Sequence, residues 1–164
     1  MALTQSEVDG FLAAPKAVSR HSDMRWVSTG GSIDQYRWRG RVEEGGVTKG
    51  ILLLVVNRAV PRSWNFDLQL RGEEVYAWHF KTPINHRNKG CPAGFPARVK
   101  VPHEHLWLEG SGYQCARPLD DMATWSHHQV LDSFCQQSNI AFQPMYMDPG
   151  AGEQLVMVDP EEDE

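Results

Sequence analysis

The sequence predicts a single α+β domain, in which a twisted antiparallel β-sheet of about five to seven strands carries an N-terminal and a C-terminal helix on its aromatic face. Three observations predict this class. The chain has 164 residues, which is the length of one domain with a sizeable core. Apolar and polar residues alternate through its middle, and helical spacing occurs towards each end. We place the domain at residues 1–158 and an acidic tail at residues 159–164.

The first helix is predicted from about Gln5 to Ala14. Thr4 and Glu7 have the spacing of a capping box, in which each side chain binds the backbone amide of the other residue. Pro15 marks the end of the helix because proline is not tolerated in a helix interior. The residues expected to face the core are Val8, Phe11 and Leu12.

Residues 24–109 have the pattern of β-strands. Tyr36, Trp38 and Val42 share one strand face, whereas residues 51–56 are apolar throughout and are expected to be covered on both faces. If the strands pair in sequence order, the polar side chains of the non-aromatic faces form one cationic surface, although an ordinary solvated sheet face has the same pattern. These side chains are Arg37, Arg39, Arg41, Gln69, Arg71, His79 and Lys81.

The second helix is predicted from a cap at Asp120 or Asp121 to about Gln137, and we expect it to pack on the sheet. Its inward residues are predicted to be Trp125, Leu131, Phe134 and Cys135. A short apolar stretch at residues 155–158 is expected to add one more strand before the acidic end.

Charge is distributed unevenly along the chain. Residues 20–100 hold 14 Lys and Arg against 7 Asp and Glu, whereas residues 101–164 hold one basic residue against 12 acidic ones. A basic middle with an acidic end is compatible with binding a polyanion, or with a tail that competes for the same basic surface. A solubilising tail on an ordinary domain has the same composition.

No apolar run approaches the length needed to span a bilayer, and the chain turns polar soon after Met1. Neither a membrane anchor nor a signal peptide is therefore predicted, and we expect a cytoplasmic protein with no membrane partner. Cys91, Cys115 and Cys135 are odd in number and widely spaced. This pattern predicts reduced thiols rather than a disulfide framework or a zinc knuckle.

Four of the seven histidines fall between residues 79 and 105, and clustered imidazoles serve as metal ligands or as a proton-transfer pair. In a metal-free mechanism, His79 or His86 would act with His103 or His105 as general base and acid to cleave RNA through its 2′-hydroxyl. Lys81, Arg87 or Arg98 would stabilise the transition state. The predicted catalytic residues are His79, His86, His103, His105 and Lys81, and the predicted nucleic-acid-binding residues are Arg37, Arg39, Arg41, Arg71 and Arg87.

The alternative chemistry is a metal site at His103, His105 and Glu109 for a divalent metal such as zinc, because this spacing places three ligands on one face of a strand. The spacing resembles the first motif of the cupin family, whose double-stranded β-helix binds metal. The resemblance covers only residues 103–109. Ala97 stands where cupins place a glycine, and their second motif has no match here. His103 and His105 could also form ordinary hydrogen bonds at a strand edge.

A broader resemblance of layout involves three segments, Tyr76-x-Trp78-His79-Phe80, Asn85-His86 and Pro102-His103-x-His105, which are followed by a predicted helix. This order resembles the small TumE-type toxins of toxin–antitoxin loci. The resemblance implies a ribonuclease-like growth inhibitor neutralised by a partner, with His86, His103 and His105 as the matching positions. The Arg-Tyr-Asp-Asn run usual in that family is absent.

Three functions are therefore compared. The first is a small cytosolic ribonuclease or toxin that acts on RNA with the histidine cluster beside a basic sheet face. The second is a non-enzymatic binding or inhibitor protein, for example from a mobile element, that blocks a nucleic-acid-processing or defence complex by protein contact. The third is an accessory subunit whose histidines are incidental. The expected partners are RNA, a nucleic-acid-binding protein complex or an antitoxin-like protein.

Overall fold

The computed structural model describes residues 2–20, 24–29, 34–80, 85–120 and 122–150. They form two helices and eleven strands. The elements in chain order are α1 (Gln5–Ala13), β1 (Lys16–Val18), β2 (Val27–Ser28), β3 (Gln35–Glu44), β4 (Val47–Asn57), β5 (Ser63–Leu70), β6 (Glu73–His79), β7 (His86–Arg87), β8 (Arg98–Val99), β9 (His103–Leu108), β10 (Gly112–Pro118), α2 (His127–Gln137) and β11 (Ile140–Phe142).

Nine strands form one sheet in the order β10-β9-β6-β5-β4-β3-β1-β11, with β2 also paired to β3. Every pair is antiparallel except β1 and β11, which run parallel. The predicted α+β class with one N-terminal and one C-terminal helix is confirmed. The sheet has more strands than expected because β1, β2 and β11 are too short to show an alternating pattern.

The aromatic face of the sheet is the core, as predicted. Phe66 and Trp78 are fully buried, and Phe134 of α2 stacks on Tyr76 with ring centroids 5.3 Å apart. Rings packed in this way bury large apolar areas and add offset or edge contacts of about 1 kcal/mol each. The helices therefore cover one face of the sheet, and the other face is left for polar groups.

Helix α1 begins and ends as predicted. Thr4 is its N-cap, the capping box with Glu7 is present, and the helix ends at Ala13, before Pro15. The buried Lys16 ammonium then donates to three carbonyls at the helix end, those of Phe11 at 2.6 Å, Leu12 at 3.2 Å and Ala14 at 2.7 Å. Burial lowers the pKa of Lys16 to about 8.

Helix α2 begins later than predicted. Its N-cap is Ser126 and not Asp120, because Ser126 and Gln129 form a second capping box that satisfies two backbone amides. Asp121 lies outside the described residues. Trp125 precedes the helix and is 36% exposed, so its predicted inward position is wrong.

Strand β4 is not covered on both faces. Leu52, Leu54 and Val56 are buried in the core, whereas the alternate residues Ile51, Leu53 and Val55 are only half-buried. The reason is that both helices pack on the aromatic face. The half-buried side chains form a narrow apolar stripe on the polar face, which we call the β4 stripe.

Two cysteines contradict the prediction of reduced thiols, since Cys91 and Cys115 form a disulfide and only Cys135 is free. Lys81, the apolar stretch at 155–158 and the acidic tail at 159–164 lie outside the described residues, so the predictions made for them stay predictions.

Candidate metal centre

Sheet register brings three histidines together. In the antiparallel pair β6 and β9, His79 lies opposite His103 and Ala77 lies opposite His105. Residues directly opposite one another point to the same face of a sheet, and alternate residues of a strand also share a face. His79, His103 and His105 therefore occupy the polar face side by side, and the small Ala77 leaves space between them.

The ring nitrogens of these three histidines converge. One nitrogen from each ring lies within 4.8 Å of one nitrogen of both others, and the Nε2 atoms of His103 and His105 are 3.0 Å apart. His103 is 4% exposed and His105 is 3% exposed. We call His79, His103 and His105 the histidine triad.

The tautomer of His103 is fixed by its backbone neighbour. Its Nδ1 lies 3.2 Å from the carbonyl oxygen of Lys100, which can only accept, so Nδ1 donates and Nε2 keeps its lone pair. Burial and the nearby His79 and His86 lower the pKa of His103 to about 4. The ring is therefore neutral at neutral pH, which is the form that binds metals.

Asp67 orients the third ring. Its Oδ1 accepts from Nε2 of His79 at 3.0 Å, which leaves Nδ1 of His79 as the lone-pair nitrogen. Asp67 is buried and reaches this position because it lies opposite Ala77 on the neighbouring strand β5. A carboxylate behind a ligating imidazole is the usual outer partner in histidine metal sites. The alternation of β5 places Asp67 on the polar face, and this is the signal that could have identified it from sequence.

A fourth histidine approaches the triad from a loop. The His86 ring lies 4.6 Å from that of His105 and 5.7 Å from that of His103. The segment that carries His86 is attached to the edge strand β10 at several points, one of which is Arg117 over the Phe95 ring at 4.6 Å. Asn88 donates from Nδ2 to the carbonyl of Ala116 at 2.8 Å and accepts from the amide of Ala116 at 2.7 Å, and Cys91 is bonded to Cys115.

The triad fits a zinc ion better than a proton-transfer pair. Zinc–nitrogen bonds of about 2.0–2.1 Å in a tetrahedral site place two ligand nitrogens roughly 3.3 Å apart, close to the 3.0 Å between His103 and His105. An acid and a base on opposite sides of a phosphate each form a hydrogen bond of about 2.6–3.2 Å, so their nitrogens must be considerably farther apart. Three imidazoles are also a donor set that zinc accepts.

Glu109 is not part of this group. It lies in the turn that follows β9, where the strand alternation has ended, and its carboxylate accepts from the amide of Gln5 at 3.3 Å. Among the described residues, the group that could hold a metal ion is the triad. The third candidate ligand is therefore His79 and not the predicted Glu109.

The predicted arginines divide into two sets. Strand pairing places Arg37 and Arg39 of β3 in line with His103 and His105 across β4, β5 and β6, so they share the polar face with the triad. Three strand spacings of about 4.8 Å separate β3 from β6, or roughly 14 Å, and the β4 stripe lies between them. Arg41 occupies the same exposed row of β3.

The remaining predicted cations lie elsewhere. Arg71 is in the turn after β5 and forms an ion pair of 2.7 Å with Glu7 of α1, whereas Arg87 is exposed beside His86 on β7. Arg98 lies opposite Arg87 on β8. A depression of about 310 Å³ adjoins the triad strands and is lined by Gln69, Gly72, Glu73, Glu74, Trp107 and Gly112. Burial and Asp67 raise the pKa of Glu74 there, and His79 opposes this shift.

A third buried histidine lies on the opposite face of the sheet. His127 begins α2, is 4% exposed and has its Nδ1 2.9 Å from Oη of Tyr146. Its Nε2 has no hydrogen-bond partner in the described structure, and the rings of Trp64 and Phe66 lie 5.3 and 5.0 Å from its own. Burial lowers its pKa to about 4, with Asp148 opposing this and His128 adding to it.

Comparison with protein-family models, with curated proteins and with solved structures found no match for this chain. The cupin and TumE-type resemblances therefore stay predictions that rest on short motifs. Among the described residues, neither helix has the length and apolarity needed to cross a membrane.

Proposed function

We propose that this protein is a metal-dependent hydrolase that cleaves RNA, with a divalent ion such as zinc held by the triad. The observation that carries the proposal is the convergence of three ring nitrogens within 4.8 Å on a sheet face that also carries an arginine row. The metal-free alternative, in which His79 or His86 acts with His103 or His105 as general base and acid, is less favoured, because a pKa of about 4 leaves His103 almost unprotonated at neutral pH.

The chain would prepare the site through its own hydrogen bonds. The Lys100 carbonyl leaves Nε2 of His103 free to face His105, and the hydrogen bond to Asp67 orients the His79 ring. Burial keeps His103 neutral, so that less proton release is needed before a ligand bond forms. Bound at the triad, a zinc ion would supply a water of lowered pKa as the nucleophile.

RNA is the proposed substrate because of what lies beside the triad. Arg37, Arg39 and Arg41 are exposed in one row, which suits phosphates spaced along a single strand. The β4 stripe between this row and the triad offers an apolar surface to the bases. A cytoplasmic location and an antitoxin-like partner belong to the same proposal.

The test is cleavage of single-stranded RNA by zinc-loaded protein, by protein treated with a chelator and by the His103→Ala variant. Only the loaded wild type should cleave. The control is His128→Ala, since His128 is exposed on α2 and stacks on Tyr146, and this variant should cleave as the wild type does. Cleavage that survives both the chelator and His103→Ala would overturn the proposal.

The β4 stripe favours one other function, that of an inhibitor which docks on a protein by this face. Half-buried Ile51, Leu53 and Val55 beside arginines have the mixed character of a protein interface. A stoichiometric complex with a nucleic-acid enzyme that persists in His103→Ala, without RNA cleavage, would support the inhibitor instead.

A further inference from the structure

His86 occupies a position equivalent to that of His79 relative to the other two rings. The His79 ring lies 4.5 Å from that of His105 and 5.7 Å from that of His103, and the corresponding distances for His86 are 4.6 and 5.7 Å. In a tetrahedral zinc site, zinc–nitrogen bonds of about 2.0–2.1 Å place neighbouring imidazole rings roughly 5 Å apart. Both rings therefore lie beside the central pair at a ring spacing that suits ligands, and the nitrogens that converge within 4.8 Å are those of the triad.

The attachment of His86 is different from that of the triad. The triad belongs to central strands, whereas His86 belongs to the short strand β7, in a segment in which every residue from 85 to 98 is exposed or half-buried. So little burial contributes little stability, because local stability follows buried apolar contacts. Asn88, the Cys91–Cys115 disulfide and Phe95, over whose ring Arg117 lies at 4.6 Å, attach this segment to β10, and the disulfide is the covalent attachment.

We propose that His86 is a fourth ligand of the metal and that the disulfide retains it there, so that reduction opens a coordination position. The inference rests on the proposed metal centre. A dithiol donates two electrons to the Cys91–Cys115 bond, each sulfur takes up a proton, and the dithiol becomes a disulfide. Cys91 is half-buried, which leaves it reachable by such a reductant.

The two redox forms then differ in chemistry. With four histidine ligands the site is closed, as in structural zinc sites, and no position remains for water. After reduction the loop loses its covalent attachment and His86 leaves, so the three triad ligands and one water form the arrangement of a catalytic site. Oxidised protein should bind zinc more tightly and reduced protein should hydrolyse RNA, so the RNA-cleavage assay of the proposed function is carried out with a dithiol present.

The experiment measures zinc affinity by competition with a chromophoric chelator and ligand number from the visible spectrum of bound cobalt. Four proteins are compared, namely oxidised wild type, His86→Ala, Cys91→Ser with Cys115→Ser, and the combination of all three substitutions. His86→Ala and the double serine variant should each bind zinc at least about tenfold more weakly than wild type, and their cobalt spectra should shift because one imidazole ligand is replaced by water. The combined variant should show no further loss.

Cys135→Ala is the matched control, because Cys135 is the free cysteine and lies on the buried face of α2. The zinc affinity of this variant should equal that of wild type. Circular dichroism confirms that each variant is folded. If His86→Ala binds zinc as wild type does while His103→Ala does not, the fourth-ligand inference is wrong and the triad stands. If His103→Ala also binds zinc as wild type does, the metal centre itself is wrong.

Discussion

His103 and His127 lie on opposite faces of one sheet and are equally buried, and burial lowers both pKa values to about 4. Their surroundings differ. Nε2 of His103 lies 3.0 Å from Nε2 of His105. Nε2 of His127, in contrast, is surrounded by aromatic rings and has no polar partner within the described part of the chain. A lowered histidine pKa therefore reports burial, and only the neighbouring lone pairs distinguish a ligand from a packed side chain.

The difference follows from which face the helices cover. Helices α1 and α2 cover the aromatic face. His127 on that face is therefore a core residue, and its polar contact is with the hydroxyl of Tyr146. The other face has no helix on it, and its polar side chains can meet one another and a ligand. The following predictions test this comparison, beginning with the largest expected effect.

Acid should destabilise the protein through both histidines. Each has a pKa of about 4 when folded but 6.5 when unfolded, so the unfolded chain takes up these protons first. Stability is full above about pH 6.5 and falls as the pH drops towards 4, by up to about 3 kcal/mol for each histidine. Urea unfolding at several pH values measures this. His127→Phe should remove about half of the pH dependence, and an unchanged slope would show that His127 does not contribute.

Zinc affinity should depend on His103 and not on His127. His103→Ala removes a ligand and should weaken zinc binding by about 100-fold or more, since even the loss of an outer partner costs about 10–100-fold. His127→Phe should bind zinc as wild type does. Chelator competition measures both affinities, and equal losses in the two variants would contradict the assignment of the triad.

Asp67→Asn should have a smaller effect at the same site. The amide cannot replace the carboxylate that accepts from His79, so zinc affinity should fall by about 10–100-fold. Asn65→Ala is the control. Asn65 shares the face of β5 that carries Asp67 and is paired with His79 across the strands, but the hydrogen bond to the His79 ring comes from Asp67. A loss of the same size in Asn65→Ala would mean that the strand, rather than the carboxylate, determines affinity.

Tyr146→Phe should have the smallest effect. It removes the hydroxyl 2.9 Å from Nδ1 of His127 and should lower the free energy of unfolding by about 1 kcal/mol, with zinc affinity unchanged. Thermal unfolding with and without zinc measures both quantities. A change in zinc affinity would indicate that the two faces are coupled through the sheet.

Much of the fold could be predicted from sequence, because burial alternates along β3 and β9, apolar and polar residues alternate in β5, and large aromatic residues alternate with smaller ones in β6. The short strands β1 and β11 could not be found in this way, since each has three residues and is defined by pairing with distant partners. The start of α2 was predictable in principle. Ser126 and Gln129 have the same spacing as Thr4 and Glu7, but Asp120 offered a competing cap.

The histidine cluster could also be predicted, but its composition could not. Choosing His79 over Glu109 as the third ligand requires the register between β6 and β9, which single strands do not specify. Asp67 depends in the same way on the register of β5. The disulfide joins residues 24 apart, and its pairing follows from the path of a loop whose residues have no periodicity.

The side chain of Asn88 has a consequence beyond the histidines. It occupies both backbone hydrogen-bonding groups of Ala116 on β10, the outermost strand at that end of the sheet. These are the groups that a strand from another molecule would need in order to add itself to the sheet. The side-chain amide of Asn88 therefore blocks the addition of another strand at this position of the sheet edge, which opposes self-association into fibrils.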